Sequence, residues 1–146
     1  MERERSILRQ STGEFAIATR GRGLYELTEQ VQDWVRREGI AEGLLTLQVR
    51  HTSASLLINE NADPEVREDL ERFFTRLVPP GDRLFRHSAE GPDDMPAHVR
   101  AALTATTLSI PVSGGRPTLG TWQGIYLYEH RDAPHRRRVA AHVLGC

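Results

Sequence analysis

Six histidines, at positions 51, 87, 98, 130, 135 and 142, are the side chains best suited to metal or proton chemistry. Three of them stand in distinct contexts. His51 ends an apolar run, His87 lies in a polar segment, and His98 falls on an apolar helical stripe one turn after Asp94. Imidazoles from three separate elements can form a facial metal site with an open position. Their neutral nitrogens suit zinc, and added carboxylate or amide oxygen suits harder divalent ions of the magnesium class. No compact HxxxH or HExxH pair occurs, so spacing alone does not separate a metal set from ordinary hydrogen-bonded histidines.

Carboxylates supply the second ingredient. Glu129 closes the run 121–129 on the parity of Ile125 and Leu127, which turns it inward. Asp94 is placed to orient His98, although Asp93 and Asp94 read equally well as helix-capping groups, worth about 1 kcal/mol. Either Glu129 or Asp94 could serve as acid, base or orienting group. Ser53, Ser55 and Asn59 continue the inward parity of Leu45, Leu47, Val49 and His51 and form a candidate pocket wall. In HRDAPHRRRV, 130–139, Arg136 and Arg138 share one strand face and Arg137 the other. One arginine facing a pocket could grip phosphate or carboxylate. The segment SGGRPTLGTWQG, 113–124, lacks the GxxxxGK[ST] pattern and reads as a hairpin turn, with Gln123 as a pocket donor and Trp122 packing.

Composition prunes the alternatives. All 19 basic residues are arginine, which removes Schiff-base, P-loop and Ser-Lys lysines. The only cysteine is Cys146, which excludes thiolate zinc sites and intrachain disulfides. A formal net charge of −1 gives no global sign of nucleic-acid or membrane partners. No apolar stretch is long enough to span a bilayer, and MERERSILRQ lacks an apolar signal core. A cytoplasmic location is the default expectation.

These residues need elements to position them. Ile7–Gln10 and Phe15–Thr19 around Ser11-Thr12-Gly13 read as a short hairpin. Leu24, Leu27, Val31, Trp34 and Val35 recur at helical spacing, with Gly39 as the C-cap. A strand covers 44–51. Asp63-Pro64 opens a second helix with Val66, Leu70, Phe73, Phe74 and Leu77 as its apolar stripe. Residues 82–92 read as loop. A third helix runs from about Asp93 to Thr106 with Met95, His98, Val99, Ala102 and Leu103 on its buried face. Strands at 108–112, 121–129 and 138–144 complete an α+β fold. It is expected as one domain over 1–146, with a mixed or antiparallel sheet, a sandwich-like core and about three helices.

Three blocks, HTSASLLINENADP (51–64), FRHSAEGPDDMPAHVRAAL (85–103) and LGTWQGIYLYEHRDAPHRRRV (119–139), occur in an order that resembles the YjbQ family, often labelled secondary thiamine-phosphate synthases. The resemblance runs nearly end to end. It implies a small α+β fold assembled as a homotrimer with a pocket near a subunit boundary. It carries His51, His87 and His98 over as the metal or anion-binding set, and Asn59, Asp94, Gln123, Glu129 and Arg138 as pocket residues. The family label implies joining a pyrimidine pyrophosphate to a thiazole phosphate, a reaction that needs a divalent cation and cationic donors for the departing pyrophosphate. Three readings follow: a metal-dependent enzyme on a phosphorylated or anionic small molecule, a metal-activated hydrolase, and a non-catalytic ligand-binding trimer.

Overall fold

A computed structural model describes residues 7–146. Eight strands and three helices follow in the order β1 (Arg9–Ala18), β2 (Gly23–Glu26), α1 (Thr28–Glu38), β3 (Gly43–Val49), β4 (Ala54–Glu60), α2 (Pro64–Leu77), α3 (Asp94–Leu103), β5 (Thr107–Ser113), β6 (Arg116–Pro117), β7 (Gln123–Glu129) and β8 (Arg136–Gly145). Five strands form one sheet in the order β1-β8-β3-β5-β6, and three form another in the order β2-β7-β4. Every pairing is antiparallel. No helix among the described residues is long and apolar enough to cross a membrane.

The core lies where inward-facing residues of the two sheets and α1 meet. Leu45, Leu47, Val49, Val139 and Val143 enter from the larger sheet, Leu56, Ile125 and Leu127 from the smaller, and Val31, Trp34 and Val35 from α1. Period-two burial along β8 and period-3.6 burial along α1 both follow from one apolar face each. Along β7 burial is continuous from Gly124 onward. Its Ile125–Leu127 face meets the core, while Tyr128 on the other face meets Phe74 of α2 edge-on at 5.8 Å.

Several expectations are corrected. The hairpin at 7–19 is a single strand, β1, paired with β8 throughout its length. Gly13 is not a turn residue. A Cβ there would lie 2.8 Å from Trp34 Nε1, so the glycine makes room for the indole. Leu24 belongs to β2, and the helix starts at Thr28; Gly39 does end it, with φ 70°. The strand expected to continue through His51 stops at Val49. Residues 50–53 carry the chain from the larger sheet to the smaller, so parity restarts at β4. Asp63 caps α2 as expected, accepting from Glu65 N–H at 2.9 Å. Yet α2 has no fully buried residue, and Phe73 and Leu77 are exposed. In α3 the buried face is Asp94, Ala97, Arg100 and Ala101, rather than the stripe through His98 and Leu103.

Candidate functional site

The start of α3 and the loop before it bring together two histidines and a carboxylate. Asp94 lies in the first turn of α3 and is 2 % exposed. Its Oδ2 is 2.6 Å from His87 Nε2 and 3.0 Å from His98 Nε2. One ligand atom from each of the three residues falls within 4.8 Å of the others, a set that could hold a metal ion. His87 reaches Asp94 from the loop between α2 and α3, and His98 reaches it from one helical turn on, where i and i+4 share a face.

The bonds of His98 fix which nitrogen faces Asp94. Its Nδ1 is 3.0 Å from the Thr52 carbonyl oxygen, which can only accept, so Nδ1 donates. In the neutral ring Nε2 then carries a bare lone pair, and that lone pair points at a carboxylate oxygen. Two lone pairs at this distance repel unless a cation or a proton lies between them. A histidine whose other nitrogen donates to a backbone carbonyl is the arrangement metal-ligating histidines use.

Arg131 holds the other side of the carboxylate. Its Nη1 donates to Asp94 Oδ1 at 2.7 Å, its Nε to Asp93 Oδ2 at 3.0 Å, and its Nη2 to the Glu90 carbonyl at 2.9 Å. Asp93 also accepts from Asp132 N–H at 2.9 Å and makes no capping bond to its own helix. The capping reading of Asp93 and Asp94 therefore gives way to a cross-link between α3 and the turn after β7. Burial pushes the Asp94 carboxyl up, but the His87 hydrogen bond, the Arg131 charge and His98 outweigh it and hold the group below the usual carboxylate range.

A second polar centre lies inside the sandwich. Glu129 is fully buried and accepts from Thr19 Oγ1 at 2.6 Å, from Arg137 Nε at 2.8 Å and from the His130 backbone N–H at 3.0 Å. Arg137 also donates from Nη2 to Glu129 Oε2 and to Ser53 Oγ. Burial raises the Glu129 carboxyl, but the bonds from Arg137 and Thr19 lower it further, so it stays ionised below the usual range. Ser55 Oγ pairs with His130 Nε2 at 2.8 Å. Burial, aided by the Arg100 and Arg137 charges, pushes the His130 pKa down to about 3, which leaves this ring neutral.

Of the residues expected to act together, the structure joins His87, Asp94 and His98. His51 stands apart from them: its Nε2 accepts the Arg138 backbone N–H at 2.7 Å. Glu129 faces inward as its parity implies, but the parity of Ser53 and Ser55 is corrected: β4 turns Ala54 and Leu56 into the core and Ser55 to the opposite face beside Tyr128, and the polar atoms of all three are engaged by Arg137 or His130. Asn59 and Gln123 lie at the far end of the β4–β7 pair, where Asn59 faces Gly124 while Ala54 faces Glu129. Five strand residues place Asn59 about 17 Å from the Ala54 end. Asn59 Oδ1 accepts from Glu60 N–H, and Gln123 Oε1 accepts from Gly120 N–H, so both serve local backbone. Arg138 points outward and pairs with Glu14 at 3.7 Å. Arg137 is the arginine that faces in, at 4 % exposed. Sequence reading passed over Arg131 and Arg137. The alternation in RRR did put Arg137 opposite its neighbours, and the Asp93-Asp94 pair was a signal that a cation should meet it.

His87 also borders an open cleft of about 340 Å³ lined by Arg83, Phe85, Ser88, Met95 and Pro96. A larger hollow of about 620 Å³ between α1 and the Gly114-Gly115 turn contains no histidine. The site that these features define is a two-histidine, one-carboxylate cluster on α3 and the loop before it, beside an open cleft of a small antiparallel α+β fold.

Comparison with known proteins gives the lineage. The model of the UPF0047 protein YjbQ-like family matches residues 13–146, and the chain belongs to that family. It is 53% identical over 140 residues to UPF0047 protein sll1880 of Synechocystis, covering 96% of this chain and 95% of that protein. It is 43% identical over 130 residues to UPF0047 protein YjbQ of Escherichia coli O157:H7, covering 88% and 94%. Among solved structures, hypothetical protein APE1520 from Aeropyrum pernix superposes with TM-score 0.85 at 35% identity, covering 93% of this chain and 99% of that one. A YbjQ-like protein of unknown function from Sulfolobus solfataricus shares the fold at TM-score 0.88 and 24% identity, covering 96% and 100%.

Proposed function

We propose that this protein is a metal-dependent enzyme acting on a small phosphorylated or otherwise anionic molecule, with His87, Asp94 and His98 as the protein ligands of a divalent cation. The observation that carries this reading is the convergence of His87 Nε2 and His98 Nε2 on Asp94 Oδ2, with His98 Nδ1 held by the Thr52 carbonyl so that Nε2 is the nitrogen left to face the carboxylate. Two imidazoles with one carboxylate favour a zinc-class ion over magnesium, which prefers an all-oxygen shell. Ligand atoms around a tetrahedral zinc sit roughly 3.3 Å apart, given bonds of about 2.0 Å. His87 and His98 are 2.6 and 3.0 Å from the shared oxygen, so an opening of well under 1 Å would admit the ion. Arg131 would keep Asp94 ionised and oriented, and the exposed edge of His87 would leave the open positions on the cleft side. A bound cation supplies Lewis acidity toward a phosphoryl or carboxyl oxygen.

Thiamine-phosphate synthesis, the activity implied by the family resemblance, is the named candidate reaction. Because the chain lacks lysine, the cationic donors for a departing pyrophosphate would be arginines and histidines, among them Arg83 on the cleft beside His87 and Arg131 behind Asp94. Elemental analysis of untagged protein tests the metal: about one zinc-class ion per chain is expected, with loss in His98→Ala. Protein that carries no metal and takes up none at micromolar zinc refutes it. Incubation with a pyrimidine pyrophosphate and a thiazole phosphate then separates transfer from hydrolysis, because only hydrolysis incorporates label from ¹⁸O-water. We read the exposed Phe73 and Leu77 of α2 as part of a contact between copies in a homotrimer. Sedimentation equilibrium at three times the chain mass is the expected result.

A further inference from the structure

His51 lies outside the metal cluster, and its hydrogen bonding shows what it offers instead. Its Nε2 accepts the backbone N–H of Arg138 at 2.7 Å. A ring nitrogen that accepts carries no proton, so in neutral His51 the proton is on Nδ1. Among the described residues, the only buried side-chain polar atom without a partner is His130 Nδ1. His51 Nδ1–H also has no partner among the described residues and is not in that buried class, so it reaches the surface. Arg137 behaves the same way. Its Nε and Nη2 are spent on Glu129 and Ser53, while Nη1 makes no hydrogen bond among the described residues and reaches the surface by the same reasoning.

The two donors belong to one corner. His51 is bonded to the backbone of residue 138, and Arg137 reaches Ser53, two residues past His51. Glu129 is the nearby negative group, but Arg137 balances its charge and five donor groups occupy its oxygens. His135 donates its Nδ1–H to the Ala133 carbonyl and so does not compete as a donor there. Burial first, and then the Arg137 charge, lowers the His51 pKa, the direction that an Nε2 accepting from the Arg138 N–H requires. The next residue, Thr52, is the one whose carbonyl orients His98.

We infer that His51 is a fixed neutral hydrogen-bond donor, not a metal ligand, and that with Arg137 Nη1 it receives an anionic oxygen of the phosphate or carboxylate class. This deepens the proposed function, because an anion held at His51 lies beside the chain segment that orients His98.

The test uses full-length ¹⁵N-labelled protein stripped of metal, with inorganic phosphate as the probe. Long-range ¹H–¹⁵N spectra should show His51 protonated at Nδ1, and phosphate should shift that resonance saturably. His51→Phe should weaken phosphate binding about tenfold, the loss of one hydrogen bond to a charged group. His51→Asn, which restores a donor near the Nδ1 position, should recover part of it. Zinc added to the wild type should leave the His51 nitrogens unshifted. An Nε2-protonated ring, a His51 resonance that ignores phosphate, or a zinc-induced shift at His51 overturns the inference. If zinc fails to bind while phosphate still moves His51, the metal reading falls and this one stands. If zinc binds and phosphate leaves His51 unmoved, the outcome is reversed.

Discussion

Replacing Glu129 with alanine tests whether this carboxylate is structural or catalytic. Glu129 is fully buried, and Arg137 is 4 % exposed. Arg137 binds it through Nε and Nη2, and Thr19 and the backbone N–H of His130 complete the cage. Removing the carboxylate leaves the guanidinium charge buried with only Ser53 beside it. Breaking a buried pair in this way costs about 3–5 kcal/mol. A domain of ordinary stability, about 5–15 kcal/mol, survives that loss in most cases. At roughly 2–4 °C per kcal/mol for a chain of this length, Tm should fall by about 6–20 °C. Urea unfolding followed by circular dichroism at fixed protein concentration and pH 7 measures it directly. Glu129→Gln, which keeps the shape and one acceptor oxygen but loses the charge and the second acceptor, should fall between wild type and Glu129→Ala. A loss below about 1 kcal/mol, accompanied by abolished turnover, would show that the carboxylate acts in the reaction and that its cage is incidental.

The same group predicts the acid side of the stability curve. Its native pKa is depressed, so its contribution is complete above the unfolded value of about 4.3 and declines as pH falls below that toward the native one. Wild-type stability should therefore drop between neutral pH and pH 3 more steeply than that of Glu129→Gln. Parallel curves for the two proteins would contradict the assigned direction.

Three further predictions come from other parts of the molecule. Arg131→Ala should weaken zinc binding about 10- to 100-fold by releasing Asp94 Oδ1, read by competition with a chromophoric chelator, while Arg131→Lys should recover only part of it. Gly13→Val should cost about 1–3 kcal/mol by driving a side chain into Trp34, seen as a lower urea midpoint and a changed Trp fluorescence. Tyr128→Phe removes the 2.8 Å bond to Glu71, which Arg100 also holds, and should speed amide exchange across α2 more than across β3.

The elements with a single strong signal were legible. Asp63-Pro64 and Gly39 set helix ends because cap chemistry is local. The three motif blocks carried the lineage. The early β1–β2 region misled because Gly13 looked like a turn, and its true reason, an indole packed from α1, is a contact between distant segments. Likewise the break at 50–53 left no trace in alternation. Both parities there are polar or small, and only the pairing of β3 with β8 and β4 with β7 reveals the change of sheet.

The candidate site divides along a physical line that sequence parity does not draw. Parity turns Glu129 inward correctly, but the crossing at 50–53 shifts it for β4, whose core side chains are Ala54 and Leu56, while Ser55 is buried on the opposite face. A buried polar group must be satisfied to be tolerated, and the polar atoms of Ser53, Ser55 and Glu129 are already spent on Arg137 and His130. Lone pairs and donors face outward at His51 on the crossing between sheets, at His87 in a loop, and at His98 on the partly exposed side of α3. Their partners, the Arg138 N–H, the Thr52 carbonyl and Arg131, fix each ring or carboxylate from the backbone side and leave the outer atom available. In this chain the reactive set is therefore defined by which atom of each residue is left over after folding, and that depends on contacts spanning up to 87 residues.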